Sequence, residues 1–322
     1  MSSISHSEAG IKPRKDLLDI AGLSRAEIDF LLEAAGPMKE LFTRSVKKTP
    51  HLRGKTVLNL FYENSTRTSS SFEVAASRLS ADVTNFGVSS SSVQKGESVI
   101  DTVDTLQAMR TDYVVIRHSK AGVPGMVAKH IKASVINAGD GFHAHPTQAL
   151  LDAFTMREIY PDLNGKKVLI VGDIQHSRVA RSTSTILNKL GASVGVLGPS
   201  TLVPSGRHDF MQKKRDWKEA LEWSPDFVYL LRVQHERQGE VFFPSISEYH
   251  QTYGLTTERY REIAARGTYL MHPGPVNRGT EIVDEAMTYE RSLINTQVEN
   301  GIAVRMAVLY FLRPHTQSEG AV

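Results

Sequence analysis

Thr56-Val57-Leu58-Asn59-Leu60-Phe61-Tyr62 runs directly into Glu63-Asn64-Ser65-Thr66-Arg67-Thr68-Ser69, and Phe72, Ala75, Ala76 and Leu79 follow. The first part is a short apolar run, the pattern of a strand buried on both faces. The last four residues recur at the three- and four-residue spacing of one helix face. A buried strand feeding a helix through a polar turn is half of a βαβ unit, so this stretch points to an α/β fold with a parallel sheet.

The same alternation continues in both directions. Ser24 and Glu27 have capping-box spacing ahead of a helix with the apolar stripe Ile28, Leu31, Leu32, Ala35, Met38 and Leu41. Strand-like segments recur at 113–117, 134–137, 167–171, 193–197, 227–231 and 269–271. Helical patterns cover 148–160, stopped by Pro161, the segment after Ser177, and 289–311, which ends before Arg313-Pro314. The chain has 322 residues, and at roughly 150 residues per domain that is about two domains. We expect two similar domains, each a parallel sheet flanked by helices. The first spans 1–147 and is completed by the C-terminal helix of about 289–312. The second spans 148–288, and the division falls in the helix after Pro146. The polar run 89–97 reads as a mobile loop, as does 234–253, and residues 313–322 read as a disordered tail.

Composition narrows the function. Lys+Arg 38 against Asp+Glu 35 leaves +3, too near balance for a nucleic-acid or membrane-surface protein. Cys is 0, which excludes disulfides, thiolate zinc sites, iron–sulfur clusters and cysteine nucleophiles. Residues 1–15 are polar, without the apolar core of a signal peptide. No apolar run approaches the ~20 residues of a membrane span. A cytoplasmic enzyme or binding protein is the expectation.

Candidate chemistry lies where strands end. Ser65, Thr66, Arg67 and Thr68 place hydroxyls, a forked cation and unpaired backbone N–H groups at a helix start, an anion site suited to phosphate. Plain capping by Ser65 or Thr66 is the competing reading, and the glycines and Lys of a Walker loop are absent. His145 and Gln148 follow a glycine-broken strand end, with Pro146 at a helix's first position. His145 suits donation to a carbonyl oxygen, while His143-Ala144-His145 is also open to a zinc-pair reading. Arg117 ends a strand. Arg178 opens a helix, where a cation opposes the dipole unless an anion is present. Arg232 and Gln234 follow another strand. His272-Pro273-Gly274-Pro275 reads as a rigid turn open to a cis bond. Arg67, Arg117, Arg178 and Arg232 gathered at one crevice would require a polyanionic substrate.

These motifs resemble the aspartate/ornithine carbamoyltransferase family over about Lys15 to Arg313, most closely its aspartate branch. The resemblance is carried by Phe61 to Thr68, Lys95-Gly96-Glu97-Ser98, His145-Pro146-Thr147-Gln148-Ala149-Leu150-Leu151-Asp152 and His272-Pro273-Gly274-Pro275. The Cys-containing element usual in the ornithine branch is missing, and Arg232-Val233-Gln234 has the aspartate-branch form. The resemblance implies transfer of a carbamoyl group from carbamoyl phosphate to L-aspartate, a step of pyrimidine biosynthesis. It places the active site between a carbamoyl phosphate-binding domain and an aspartate-binding domain, with no cofactor or metal.

It also implies residue roles. Ser65, Thr66, Arg67 and Thr68 would hold the phosphate, and Thr68, Arg117 and His145 the carbonyl oxygen. Gln148, Gly274 and Pro275 would contact the carbamoyl NH₂. Arg178, Arg232 and Gln234 would clamp aspartate. Ser91 and Lys95 would come from a neighbouring subunit, Lys95 touching both substrates, in a homotrimer with shared sites. Association of that trimer with regulatory or dihydroorotase-type subunits is compatible with the sequence. Rival readings are a carbamoyltransferase for another amine, a non-catalytic carbamoyltransferase-like subunit, and a zinc hydrolase built on His143 and His145.

Overall fold

A computed structural model describes residues 11–63, 65–87, 98–204, 211–233 and 245–312. The expected loop at 89–97, the tail 313–322 and the site residues Ser91, Lys95 and Gln234 lie outside the described residues. The chain forms two compact units. One runs to Phe154 and resumes at Glu299, and the other is Thr155–Val298. The first dividing point falls inside the helix after Pro146. The expected boundaries were 147/148 and 288/289.

In the first unit, helix α1 (Arg25–Glu40) starts at Ser24, whose side chain accepts from Glu27 N–H while Glu27 answers to the cap's backbone. Its predicted stripe, from Ile28 to Met38, is buried. Strands β1 (Thr56–Phe61), β2 (Asp82–Gly87), β3 (Tyr113–His118) and β4 (Ser134–Asp140) alternate with α2 (Thr66–Arg78), α3 (Val99–Ala108) and α4 (Val123–His130). The sheet is parallel with order β2-β1-β3-β4. Its core includes Leu58, Leu60, Val114, Ile116 and Val135. Asn59, the one polar residue in β1's buried interior, donates to Asn85 on the neighbouring strand at 2.8 Å. That pairing gives the NH₂ of an amide the strand must bury its acceptor.

Helix α5 (Pro146–Ile159) carries the chain into the second unit. There β5 (Lys167–Val171), α6 (Arg178–Lys189), β6 (Ser193–Leu197), β7 (Met211–Lys213), α7 (Trp217–Glu222), β8 (Phe227–Leu230), α8 (Ile246–Thr252), α9 (Thr257–Ala265) and β9 (Tyr269–Met271) form a parallel sheet of order β7-β6-β5-β8-β9. Its core includes Leu169, Val171, Val228, Leu230 and Leu270.

Two expectations need correction. The segment 234–253 is not all loop: residues 246–252 are α8, capped by the Ser245 side chain accepting from Glu248 N–H at 3.0 Å. The last helix, α10, begins at Ile294 rather than 289. Residues 291 and 293 are held instead by backbone bonds to Leu270 at the end of the sheet, so tertiary pairing overrides a helix-compatible pattern. Among the described residues no helix is long and apolar enough to cross a membrane.

Candidate active site

A parallel sheet sends all its strands' carboxyl ends to one edge. Ligands bind there where successive connections leave in opposite directions, because the loops diverge and open a crevice. In the first unit β1 lies between β2 and β3, so that point is the gap between the ends of β1 and β3. Both strands end there in candidate residues.

After β1 the chain turns into α2. Ser65 occupies its N-cap position but makes no capping bond with its side chain. Its hydroxyl donates instead to Thr68 Oγ1 at 3.0 Å. The first-turn N–H groups are therefore not closed off by their own cap, which distinguishes this helix start from those of α1, α3 and α8. Thr66 and Arg67 are exposed on that first turn, while Thr68 is buried. A cationic fork beside first-turn N–H groups that the Ser65 side chain does not cap is an arrangement for phosphate.

Arg117 sits in β3 opposite Phe61, and its carbonyl accepts from Tyr62 N–H at 2.9 Å. Pairing with β4 slips at this residue: Ile116 faces Asn137, but His118 faces Asp140. One residue of β3 thus meets two of β4, a bulge that re-aims the side chain. Arg117 Nη1 donates to Ala138 O at 3.3 Å and Nη2 to Glu63 Oε1 at 3.2 Å. Beside it, burial first and Lys120 second push His118 below the ordinary imidazole range.

Asp140 at the end of β4 builds the next turn. Its carboxylate accepts from Asn137 Nδ2, Gly122 N and Ala144 N at 2.7–3.1 Å. It also pairs with His143 Nδ1 at 3.0 Å. His143 is thereby part of the turn's scaffold, with nearly half of its side chain exposed. His145 is buried immediately before α5. Among the described residues no group of three or more His, Cys, Asp or Glu is arranged to hold a metal ion. One turn into α5, the buried Gln148 donates from Nε2 to Asp152 Oδ1 at 3.0 Å.

In the second unit the corresponding point lies between β5 and β8. Gly172 follows β5 with φ +134, and a Cβ there would lie 3.0 Å from Leu231 Cβ and 3.2 Å from Tyr249 Oη. Glycine allows both the backbone shape and the close approach. Asp173 accepts from His176 N–H at 2.9 Å, and Ser177 caps α6. Arg178 is the first residue of α6 and is buried. A buried guanidinium at a positive helix end favours an anionic ligand.

Arg232 follows β8, and Val233 O accepts from Asn277 Nδ2 at 3.1 Å. After β9 comes the Pro-Gly-Pro turn, with Gly274 at φ +65 and a cis Gly274–Pro275 bond. His272 Nδ1 accepts from Gly274 N–H at 2.8 Å, so Nε2 carries the proton that goes to Glu281 Oε1 at 3.1 Å. Arg278 forms an exposed pair with Asp284 at 2.8 Å, a surface contact.

Ser65, Thr66, Arg67, Thr68, Arg117, His145 and Gln148 thus lie along one edge of the first sheet. Arg178, Arg232, Gly274 and Pro275 lie along one edge of the second. Sequence reasoning passed over Glu63, Asp152 and Arg305. Glu63 and Asp152 stand inside the motifs but are short-range partners that spacing does not reveal. Arg305 had a readable signal: it is the one charge within Ile302-Ala303-Val304-Arg305-Met306-Ala307-Val308-Leu309.

Two family descriptions match the chain. "Aspartate/ornithine carbamoyltransferase, carbamoyl-P binding domain" matches residues 15–158. "Aspartate/ornithine carbamoyltransferase, Asp/Orn binding domain" matches 164–312. The aspartate carbamoyltransferase catalytic subunit of Akkermansia muciniphila is 64% identical over 305 residues, covering 95% of this chain and 99% of that relative. The subunit of the same name from Endomicrobium trichonymphae is 54% identical, covering 93% and 96%. Among solved structures, Trypanosoma cruzi aspartate transcarbamoylase with carbamoyl phosphate superposes with TM-score 0.83 at 26% identity, covering 95% of this chain and 98% of that one. The same enzyme with carbamoyl aspartate and phosphate gives 0.81 at 27%, covering 95% and 97%.

Proposed function

The chain belongs to the aspartate/ornithine carbamoyltransferase family, and from that premise we propose how its residues divide the work of carbamoyl transfer. It is an aspartate carbamoyltransferase: it moves the carbamoyl group of carbamoyl phosphate to the amine of L-aspartate, giving N-carbamoyl-L-aspartate and phosphate. The observation that carries the assignment of roles is the position of the arginines. Arg67 and Arg117 stand at the β1–β3 gap of one unit, and Arg178 and Arg232 at the β5–β8 gap of the other.

In this reading the N-terminus of α2, with Ser65, Thr66, Arg67 and Thr68, receives the phosphate. Thr68, Arg117 and His145 donate to the carbonyl oxygen, where charge develops. Gln148 and the Gly274–Pro275 turn receive the carbamoyl NH₂. Arg178 and Arg232, with Gln234, take the two carboxylates of aspartate. Lys95 and Ser91 come from the neighbouring subunit of a homotrimer and complete the site, Lys95 reaching both substrates.

Carbamoyl phosphate already carries a good leaving group, so positioning and charge stabilisation suffice. The aspartate nitrogen attacks the carbonyl carbon, a tetrahedral oxyanion forms, and the C–O bond to phosphate breaks. The departing phosphate takes the proton lost by the amine. The donors around the carbonyl oxygen bind the oxyanion more strongly than the ground-state carbonyl, which is what accelerates the step. The reaction belongs to pyrimidine biosynthesis, and we place it in the cytoplasm. A colorimetric assay for carbamoyl aspartate, run beside ornithine as acceptor, tests the reading. Product with aspartate and none with ornithine is expected, and citrulline formation would overturn the choice of acceptor.

A further inference from the structure

Arg305 lies on α10 in an apolar run and is only 4% exposed. A buried guanidinium is costly and persists where its charge is used. Its Nη1 donates to Gly301 O at 2.8 Å, and Cζ stands 5.1 Å from the centroid of Phe72 on α2. A Cβ at Gly301 would meet both Arg305 Nη1 at 2.5 Å and Leu151 Cδ2 at 3.3 Å, so the guanidinium lies where α10 packs on the α5 turn that carries Asp152. Burial is the main influence on its acidity, opposed by the charge of Asp152 and assisted by that of Arg117, and together they push it down to about 10. It remains a cation at neutral pH. Asp152, on α5, is fully buried.

Asp152 sits four residues after Gln148 and accepts its Nε2 at 3.0 Å. A carboxylate has nothing to donate, so the Gln148 amide must present its NH₂ to Asp152. The amide oxygen is then the end left to receive a donor. An amino group on the substrate is such a donor, and a methyl group of nearly the same size is not.

We propose that Asp152 and Arg305 are positioning residues that fix the Gln148 amide with its oxygen as acceptor, and so set the preference for a carbamoyl over an acetyl donor. The inference rests on the reading that Gln148 meets the carbamoyl NH₂. Asp152→Asn removes the fixed polarity, because an Asn amide can donate or accept and lets Gln148 turn over. Arg305→Met leaves the buried carboxylate without this cation and endangers folding, so Arg305→Met/Asp152→Asn, which removes both charges, is its companion. Arg305→Lys keeps the charge.

The test compares kcat/KM for carbamoyl phosphate and for acetyl phosphate, with aspartate as acceptor and phosphate release as readout. Folding is checked by circular dichroism. Loss of one hydrogen bond predicts that the carbamoyl-to-acetyl ratio falls about five- to ten-fold in Asp152→Asn and in the double variant, with acetyl transfer within about two-fold of wild type. Arg305→Lys should keep a ratio nearer the wild type. Equal losses with both donors, an unchanged ratio in folded Asp152→Asn, or an Arg305→Lys ratio as low as that of Asp152→Asn would overturn the proposal. A wild-type protein making no carbamoyl aspartate would remove the underlying reading as well. Wild-type activity with an unaltered ratio removes this inference alone.

Discussion

Replacing Arg117 by Met tests the centre of the mechanism, and the structure separates its two consequences. The side chain is 11% exposed, so its guanidinium works where water screens little. Losing one donor to a developing oxyanion costs roughly 2.7–4 kcal/mol, about 10²–10³ in kcat. Met also removes the cation 3.2 Å from Glu63, whose side chain is only 19% exposed. Taking that charged partner from a mostly buried carboxylate costs about 1–3 kcal/mol of stability. Adding Glu63→Gln should therefore restore most of the thermal midpoint without restoring kcat. The assays are carbamoyl aspartate formation at saturating substrates and thermal unfolding by circular dichroism. A folded Arg117→Met enzyme within ten-fold of wild-type kcat, or a kcat recovered by Glu63→Gln, would refute the reasoning.

Gly172→Ala forces a Cβ into a φ of +134 and to 3.0 Å from Leu231, so it should cost about 1–3 kcal/mol. The neighbouring turns hold Arg178 and Arg232, so KM for aspartate should rise more than KM for carbamoyl phosphate in steady-state kinetics. His118 is held below its unfolded value of 6.5. The unfolded chain therefore binds the proton first, and this residue's contribution to stability, complete above about pH 6.5, is lost as pH falls toward the folded-state value. Thermal midpoints measured from pH 7.5 to 5 should fall less steeply in His118→Gln than in wild type. Mixing inactive Lys95→Ala and Arg67→Ala proteins should regenerate activity by subunit exchange, and a mixture that stays inactive after proven exchange contradicts shared sites.

The path from sequence to site was uneven for physical reasons. Strand ends were legible because a buried parallel strand is an apolar run and its exit is polar: residues 167–171, 193–197 and 269–271 stand where their patterns placed them. β2, Asp82–Gly87, was not read because Thr84 and Asn85 break its apolar run. β7, Met211–Lys213, is too short and polar to register as a strand. The helix expected from residue 289 begins at 294 because a backbone partner on another element outcompeted local propensity.

Local chemistry was sequence-determined: which strands feed which helix starts, which hydroxyls and arginines stand there, and that the family's motifs are intact. Strand order was not. Nothing along the chain says that β3 lies on the far side of β1 from β2, or β8 on the far side of β5 from β6, yet that order sets the strand ending in Arg117 beside the one leading to α2, and the strand before Arg232 beside the one leading to Arg178. Nor does spacing say that Glu63 reaches Arg117, or that a cation from the last helix lies over Phe72. Such contacts join residues far apart in the chain, and only packing, which selects one arrangement among many compatible with the same local patterns, decides them.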